Sequence, residues 1–142
     1  MVAFNKYFTF IDELSKGGHN FQTPPTLKVA LTNTAPTQAT DTVWNTTVAP
    51  APAAANGYTA GGNTCTGVTG VTTSGVFKLT IADTVFTASG GQIGPIRYAI
   101  LYNSTATSKS IGYYDYGSSI TLNDTETFTV DFDGTNGVLT IT

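Results

Sequence analysis

The residues able to do chemistry in this chain are few and scattered. His19 is the sole histidine and Cys65 the sole cysteine. A zinc site needs three or four nitrogen or sulfur ligands, more than this pair supplies. A Ser-His-Asp unit could draw on His19, but no serine sits in a G-x-S-x-G elbow. Beside Gly17-Gly18 the imidazole reads as a solvated or capping group. Cys65 lies in a Thr-rich stretch predicted as a strand, where a free thiol behaves as a small buried apolar residue. A lone cysteine also excludes an intrachain disulfide. Asp124 and Glu126 are spaced as a carboxylate pair that could serve glycosidic acid–base chemistry. They flank a turn into a strand, so an exposed hairpin is the expected context. "DFDGTNG" puts Asp131 and Asp133 on one strand face, yet it lacks the twelve-residue loop and closing Glu of a calcium site. It reads as a hairpin turn.

The stretch "ANGYTAGGNTCTGV", Ala55 to Val68, holds four glycines in fourteen residues. A nucleotide-binding turn needs a strand before it and a helix after it, because the helix N-terminus supplies amides and dipole. Here a Pro/Ala loop precedes and a Thr-rich strand follows, and the spacing fits neither G-x-G-x-x-G nor a P-loop. The expectation is a bend whose glycines permit positive φ and close approach, with Tyr58 covering the turn. The set "GYYDYG" is the other conspicuous feature. Strand alternation places Tyr114 and Tyr116 on one face and Tyr113 on the other. One face must be core; the other is a candidate exposed aromatic patch of the kind used at interfaces and sugar-binding surfaces.

Short strands must position these residues. "FTFIDELSKGGHNF" is the one helical candidate, with Phe8, Ile11 and Leu14 on its apolar face and Thr9 with Asp12 or Glu13 as a capping pattern. Gly17-Gly18 stops it. It serves as a lid on the β core or as an arm that docks on a partner. From Thr26 the period changes to two, and "TLKVALTNT" reads as a half-buried strand. A loop follows over 35–57, long enough to be functional or disordered, with Trp44 as an anchor within it. "CTGVTGVTT", "GVFKLTIA", "TVFTA", "IRYAILYN", "SIGYYDYG", "SITL", "ETFTVDF" and "VLTIT" then read as strands. "IRYAILYN" is apolar on both sides and so central, and the last two form a hairpin across "DGTNG". About eight strands without crossover helices predict an all-β fold, an antiparallel β-sandwich or jelly roll with a short N-terminal helix. One domain spans 1–142, with residues 1–25 as the N-terminal arm and helix.

Composition agrees with that class. Thr accounts for 28 of 142 residues, and charged residues for 11%. β-branched side chains suit a pleated sheet. The net charge is -3, and the six Lys and Arg are dispersed, so no basic stripe marks a nucleic-acid partner. No apolar run approaches the roughly 20 residues of a membrane span. The opening "MVAFNKYFTFIDELSKGG" is too interrupted by polar residues for a signal peptide, which predicts a cytosolic site of synthesis and assembly. The sequons at Asn45, Asn103 and Asn123 then carry no weight.

The stretches "KYFTFIDELSKGGHNF", "TLKVALTNTAPT", "NGYTAGGNT", "FTASGGQIGPIRYAILYN", "IGYYDYGSSITL" and "FTVDFDGTNGVLTI" together resemble a family of small tailed-phage virion proteins, the capsid cement or head-decoration proteins. They come in the family's order and cover nearly the whole chain. The resemblance implies a jelly-roll-like body, a homodimer on the capsid exterior, the major capsid protein as partner, and no cofactor, metal or catalytic motif. The expected contacts are Phe4, Tyr7 and Phe8 of the arm, Trp44 of the long loop, Tyr58, and Tyr113, Tyr114 and Tyr116. "TTVAPAPAAANGY" is richer in Ala and Pro than the family's pattern. A carbohydrate-binding or adhesin-type module of the virion is the alternative reading, since exposed Tyr and Trp on a β-sandwich would serve sugars too.

Overall fold

The computed structural model describes residues 2–21, 25–45 and 49–142. Residue 1 and residues 22–24 of the arm, and residues 46–48 of the 35–57 loop, lie outside the described residues. The protein is mostly β, with antiparallel sheets and one short helix. Its elements are β1 Phe4–Lys6, α1 Phe8–Ser15, β2 Leu27–Thr32, β3 Asn63–Thr64, β4 Thr69–Thr73, β5 Val76–Thr80, β6 Thr84–Thr87, β7 Ile93–Asn103, β8 Lys109–Leu122, β9 Thr127–Val130 and β10 Leu139–Ile141. The largest sheet runs in the order β1-β8-β7-β2-β3; a second is β10-β5-β4; the third pairs β6 with β9.

β7 is the centre, as its two apolar faces predict. Ile96, Tyr98, Ile100 and Tyr102 are buried on one side and Ala99 and Leu101 on the other. β2 flanks it in unbroken register from Leu27–Asn103 to Thr32–Tyr98. β2 is not half-buried: Ala30 and Thr32 are enclosed as fully as Leu27 and Leu31. Neighbours lie on both edges of this strand, and cover on both faces is why small residues occupy its second face.

β8 joins two stretches that read as separate strands. The break expected between "SIGYYDYG" and "SITL" does not occur, because β7 is long enough to pair from Asn103–Lys109 through to Ile93–Leu122. Irregular register takes up the difference, and Gly117 sits at φ +84°. The expected hairpin between the last two strands does not form. The Asp133 carboxylate accepts the N–H groups of Thr135 and Asn136, closing a turn on its own side chain. Gly137 then donates to Asp133 O and Val138 to Leu79 O, which delivers β10 to β5 while β9 pairs with β6.

The helix shows a different apolar face from the one its spacing predicts. Phe10 is fully buried and Leu14 half-buried, whereas Phe8 and Ile11 point outward. The pairing of β1 with β8 sets this phase, because it seats Tyr7 against Tyr113 with ring centroids 5.3 Å apart. Starting from Tyr7, positions three and seven residues on face the sheet. Thr9 caps nothing on α1; its hydroxyl donates to Asp41 O at 2.8 Å and ties helix to loop. Gly17, at φ +77°, ends the helix as expected. One cluster of buried side chains runs from Tyr7 to Leu139 and includes residues of all three sheets.

Candidate functional surface

The groups with chemical potential are built into the frame. His19 is 6% exposed and packed between two rings, 4.9 Å from Phe10 and stacked on Phe21 at 5.6 Å. It is neither solvated nor capping. Among the described residues neither ring nitrogen has a hydrogen-bond partner. Burial, then the positive charge of Lys109, pushes its pKa down to about 4, while Glu13 pulls the other way. Lys109 and Glu13 form an ion pair between β8 and α1. Cys65 is buried as expected, its pKa raised by burial to about 11. Its sulfur accepts from the Thr84 hydroxyl at 3.9 Å.

Asp124 and Glu126 do not act as a pair. Asp124 accepts the Gly90 N–H at 2.7 Å, and Glu126 accepts from Asn123 N and Nδ2. Glu126 closes the β8–β9 turn, and Asp124 ties that turn to the loop between β6 and β7. Among the described residues no group of three or more His, Cys, Asp or Glu side chains comes together as a metal site would require.

The glycine-rich stretch is a bend. A Cβ on Gly62 would lie 1.8 Å from the Val29 carbonyl oxygen, so only glycine lets the chain run this close to β2. Gly57 meets Thr87 O in the same way. Tyr58 does cover the turn: its hydroxyl accepts the Leu31 N–H at 3.1 Å, and its ring stacks on Phe86. Tyr102 Oη donates to Gly61 O at 2.7 Å and fixes the loop from the other side.

The eight aromatic residues expected at a partner contact divide sharply. Tyr7, Trp44, Tyr58 and Tyr114 are buried and present no surface. Trp44 stacks on Tyr102 at 4.7 Å, so it anchors its loop as expected. Phe4, Tyr113 and Tyr116 are half-buried and packed on the core. β8 carries aromatic packing on both faces: the arm covers Tyr113, and Phe128 and Phe132 cover Tyr116 and Tyr114. No exposed face is left for the predicted tyrosine patch. Only Phe8 stands free, at 64% exposure.

Phe8 has company that the spacing argument assigned to the core. Ile11, one turn on, is 45% exposed, and the two make an apolar ridge on the outer side of α1. The ridge is held rigidly, since Phe8 N donates to Gln38 O, Gln38 Nε2 to Lys6 O, and Glu13 pairs with Lys109. A second exposed region lies on the β4–β5 hairpin. Val71 is 52% exposed and Val76 38%, within a face otherwise made of threonines and Lys78. The signal for it was present in "CTGVTGVTTSGV", which has no large apolar residue to bury. On the far side of β7 and β8, Arg97 and Asp115 form a bidentate surface pair at 2.7 and 2.9 Å.

No family model, curated protein or solved structure matches this chain.

Proposed function

We propose that the chain is a structural virion protein, a capsid cement protein that binds the outside of a tailed phage's major capsid protein lattice and stabilises the head. The ordered sequence stretches that resemble that family motivate the reading. The observation that carries it furthest is the Phe8–Ile11 ridge. Two large apolar side chains, a turn apart, stand out from an arm tied to the body by a strand, an ion pair and loop hydrogen bonds. Exposed apolar residues on a rigid element favour docking over catalysis. The three antiparallel sheets act as a jelly-roll-like sandwich that carries the ridge. A protein that binds only the mature lattice stabilises it by mass action, and many weak contacts sum over the shell.

Mixing purified protein with expanded, undecorated capsids tests the reading. Saturable, stoichiometric uptake with a raised capsid melting temperature is expected; no uptake contradicts it. The sugar-binding alternative lacks a stacking platform in the β8 aromatics. Tyr98 meets Tyr113 at 67° and Tyr114 meets Tyr116 at 45°, so neither pair offers coplanar rings to a sugar. A positive glycan array with no capsid uptake would reverse that judgement.

A further inference from the structure

Among the described residues β4, at five residues, is the longest edge strand of the three sheets; β6 and β9 are four residues long and β10 three. β1 is three residues long, carries Lys6 and runs straight into α1. β3 is two residues long, and its Asn63 side chain donates to Val85 O of β6. Natural sheets protect long edges with charge, proline or bulges. β4 has none of these: its five residues pair with β5 in unbroken register, and no Asp, Glu, Lys or Arg occurs between Asp41 and Lys78.

The register decides which backbone groups of β4 are available. Ser74 and Gly75, at φ +50° and +80°, form a two-residue turn with both central residues left-handed. Such a turn is flanked by a hydrogen-bonded pair, here Thr73 and Val76. Alternation then turns Val71 and Thr69 towards β5 and leaves the N–H and C=O groups of Gly70 and Thr72 facing away. No backbone bond outside the hairpin reaches either residue among the described residues.

We infer that β4 pairs antiparallel with β4 of a second copy, about a two-fold axis through Val71, to make one continuous six-stranded sheet. The strand is self-complementary in this register. Gly70 faces Thr72 of the second copy and exchanges both backbone hydrogen bonds with it, and the reverse pair does the same. All four outward groups of each strand are thereby satisfied. Val71 meets Val71 of the second copy in the close, non-hydrogen-bonded position, and Thr69 meets Thr73 of the second copy. β-branched pairs of this kind stabilise adjacent strands. The two chains each carry a net charge of -3, and the uncharged run places their contact away from the acidic residues. This pairing gives the homodimer implied by the family resemblance a defined interface, and it follows from the strand itself whether or not the protein decorates a capsid. A five-residue edge is small beside the roughly 1,600 Å² of a standard interface, so the dimer dissociates on dilution.

Register-specific crosslinking and light scattering test this on the free protein. The native chain is expected to scatter with twice the chain mass, falling to one chain on dilution. Oxidised Val71→Cys should form a disulfide-linked dimer, whereas Thr69→Cys should not, because position 69 faces position 73. Thr72→Pro removes one outward donor without touching the β4–β5 ladder and should yield monomer. Val71→Lys, which brings like charges together on the axis, should do the same. A native chain that is monomeric at every concentration overturns it. So does a dimer that survives both variants, or one that crosslinks through position 69 but not 71.

Discussion

β7 and the β4–β5 hairpin are both built from short-period β sequence, and they end in opposite environments. β7 has a neighbour on each edge and cover on each face, and its sequence is apolar at nearly every position. Among the described residues the hairpin has one free edge and one free face, and its outward residues are threonine, valine and a lysine. The difference lies in side-chain volume. Ile, Leu and Tyr on both sides of β7 must be enclosed, whereas Thr and Val are tolerated in water. One region holds the molecule together, and the other leaves surface for something else to meet.

Glycine substitutions break that contrast most severely. Gly62→Ala drives a methyl into the Val29 carbonyl beside β7's neighbour β2, and should cost about 3 kcal/mol or more in denaturant unfolding. Gly75→Ala, at a similar φ in the hairpin turn but with open space around it, should cost only about 1 kcal/mol. Equal losses would show that the hairpin is as constrained as the core.

Acid separates the arm from the rest. His19 takes a proton near 6.5 when unfolded and near 4 in the fold, so the unfolded state binds more protons between those values. Stability from this ring is complete above about pH 6.5 and is lost progressively as pH falls towards 4, by up to about 3 kcal/mol. His19→Phe should flatten that part of the stability–pH curve; an unchanged slope would place the titration elsewhere.

Smaller effects sharpen the comparison. Tyr58→Phe strands the buried Leu31 N–H and should cost about 1–2 kcal/mol by thermal unfolding. Val71→Thr on the hairpin face should move stability by no more than about 0.5 kcal/mol. A larger loss would mean that this face is packed in the folded chain.

The strands were legible because their apolar period is two, and β7's central place followed from apolar residues on both of its faces. Sheet membership was not legible. "DGTNG" looks like a hairpin connection, but the Asp133 side chain turns the chain towards β5, and only tertiary contact chooses that partner. The phase of α1 was hidden for a related reason. Phe8, Phe10, Ile11 and Leu14 offer two apolar faces, and the distant Tyr7–Tyr113 contact selects one. The exposure of the candidate contacts was not legible: Phe8 stands outward only because of the phase that Tyr7–Tyr113 imposes on α1, and Trp44, Tyr58 and Tyr114 carry no mark in a loop or strand of whether they will be buried. His19 gave no sign of burial either, because its enclosure depends on Phe10, Phe21 and the Lys109–Glu13 pair meeting around it.

The central claim is that an outward apolar ridge performs the function. The most direct measurement titrates expanded, undecorated capsids with the native chain and with Phe8→Ser/Ile11→Ser, after matching their melting curves. The native chain should saturate the capsids, and the doubly substituted chain, equally folded, should bind at least tenfold more weakly, a loss of about 1.4 kcal/mol. Equal binding by the two chains, or no binding by the native one, would contradict the account.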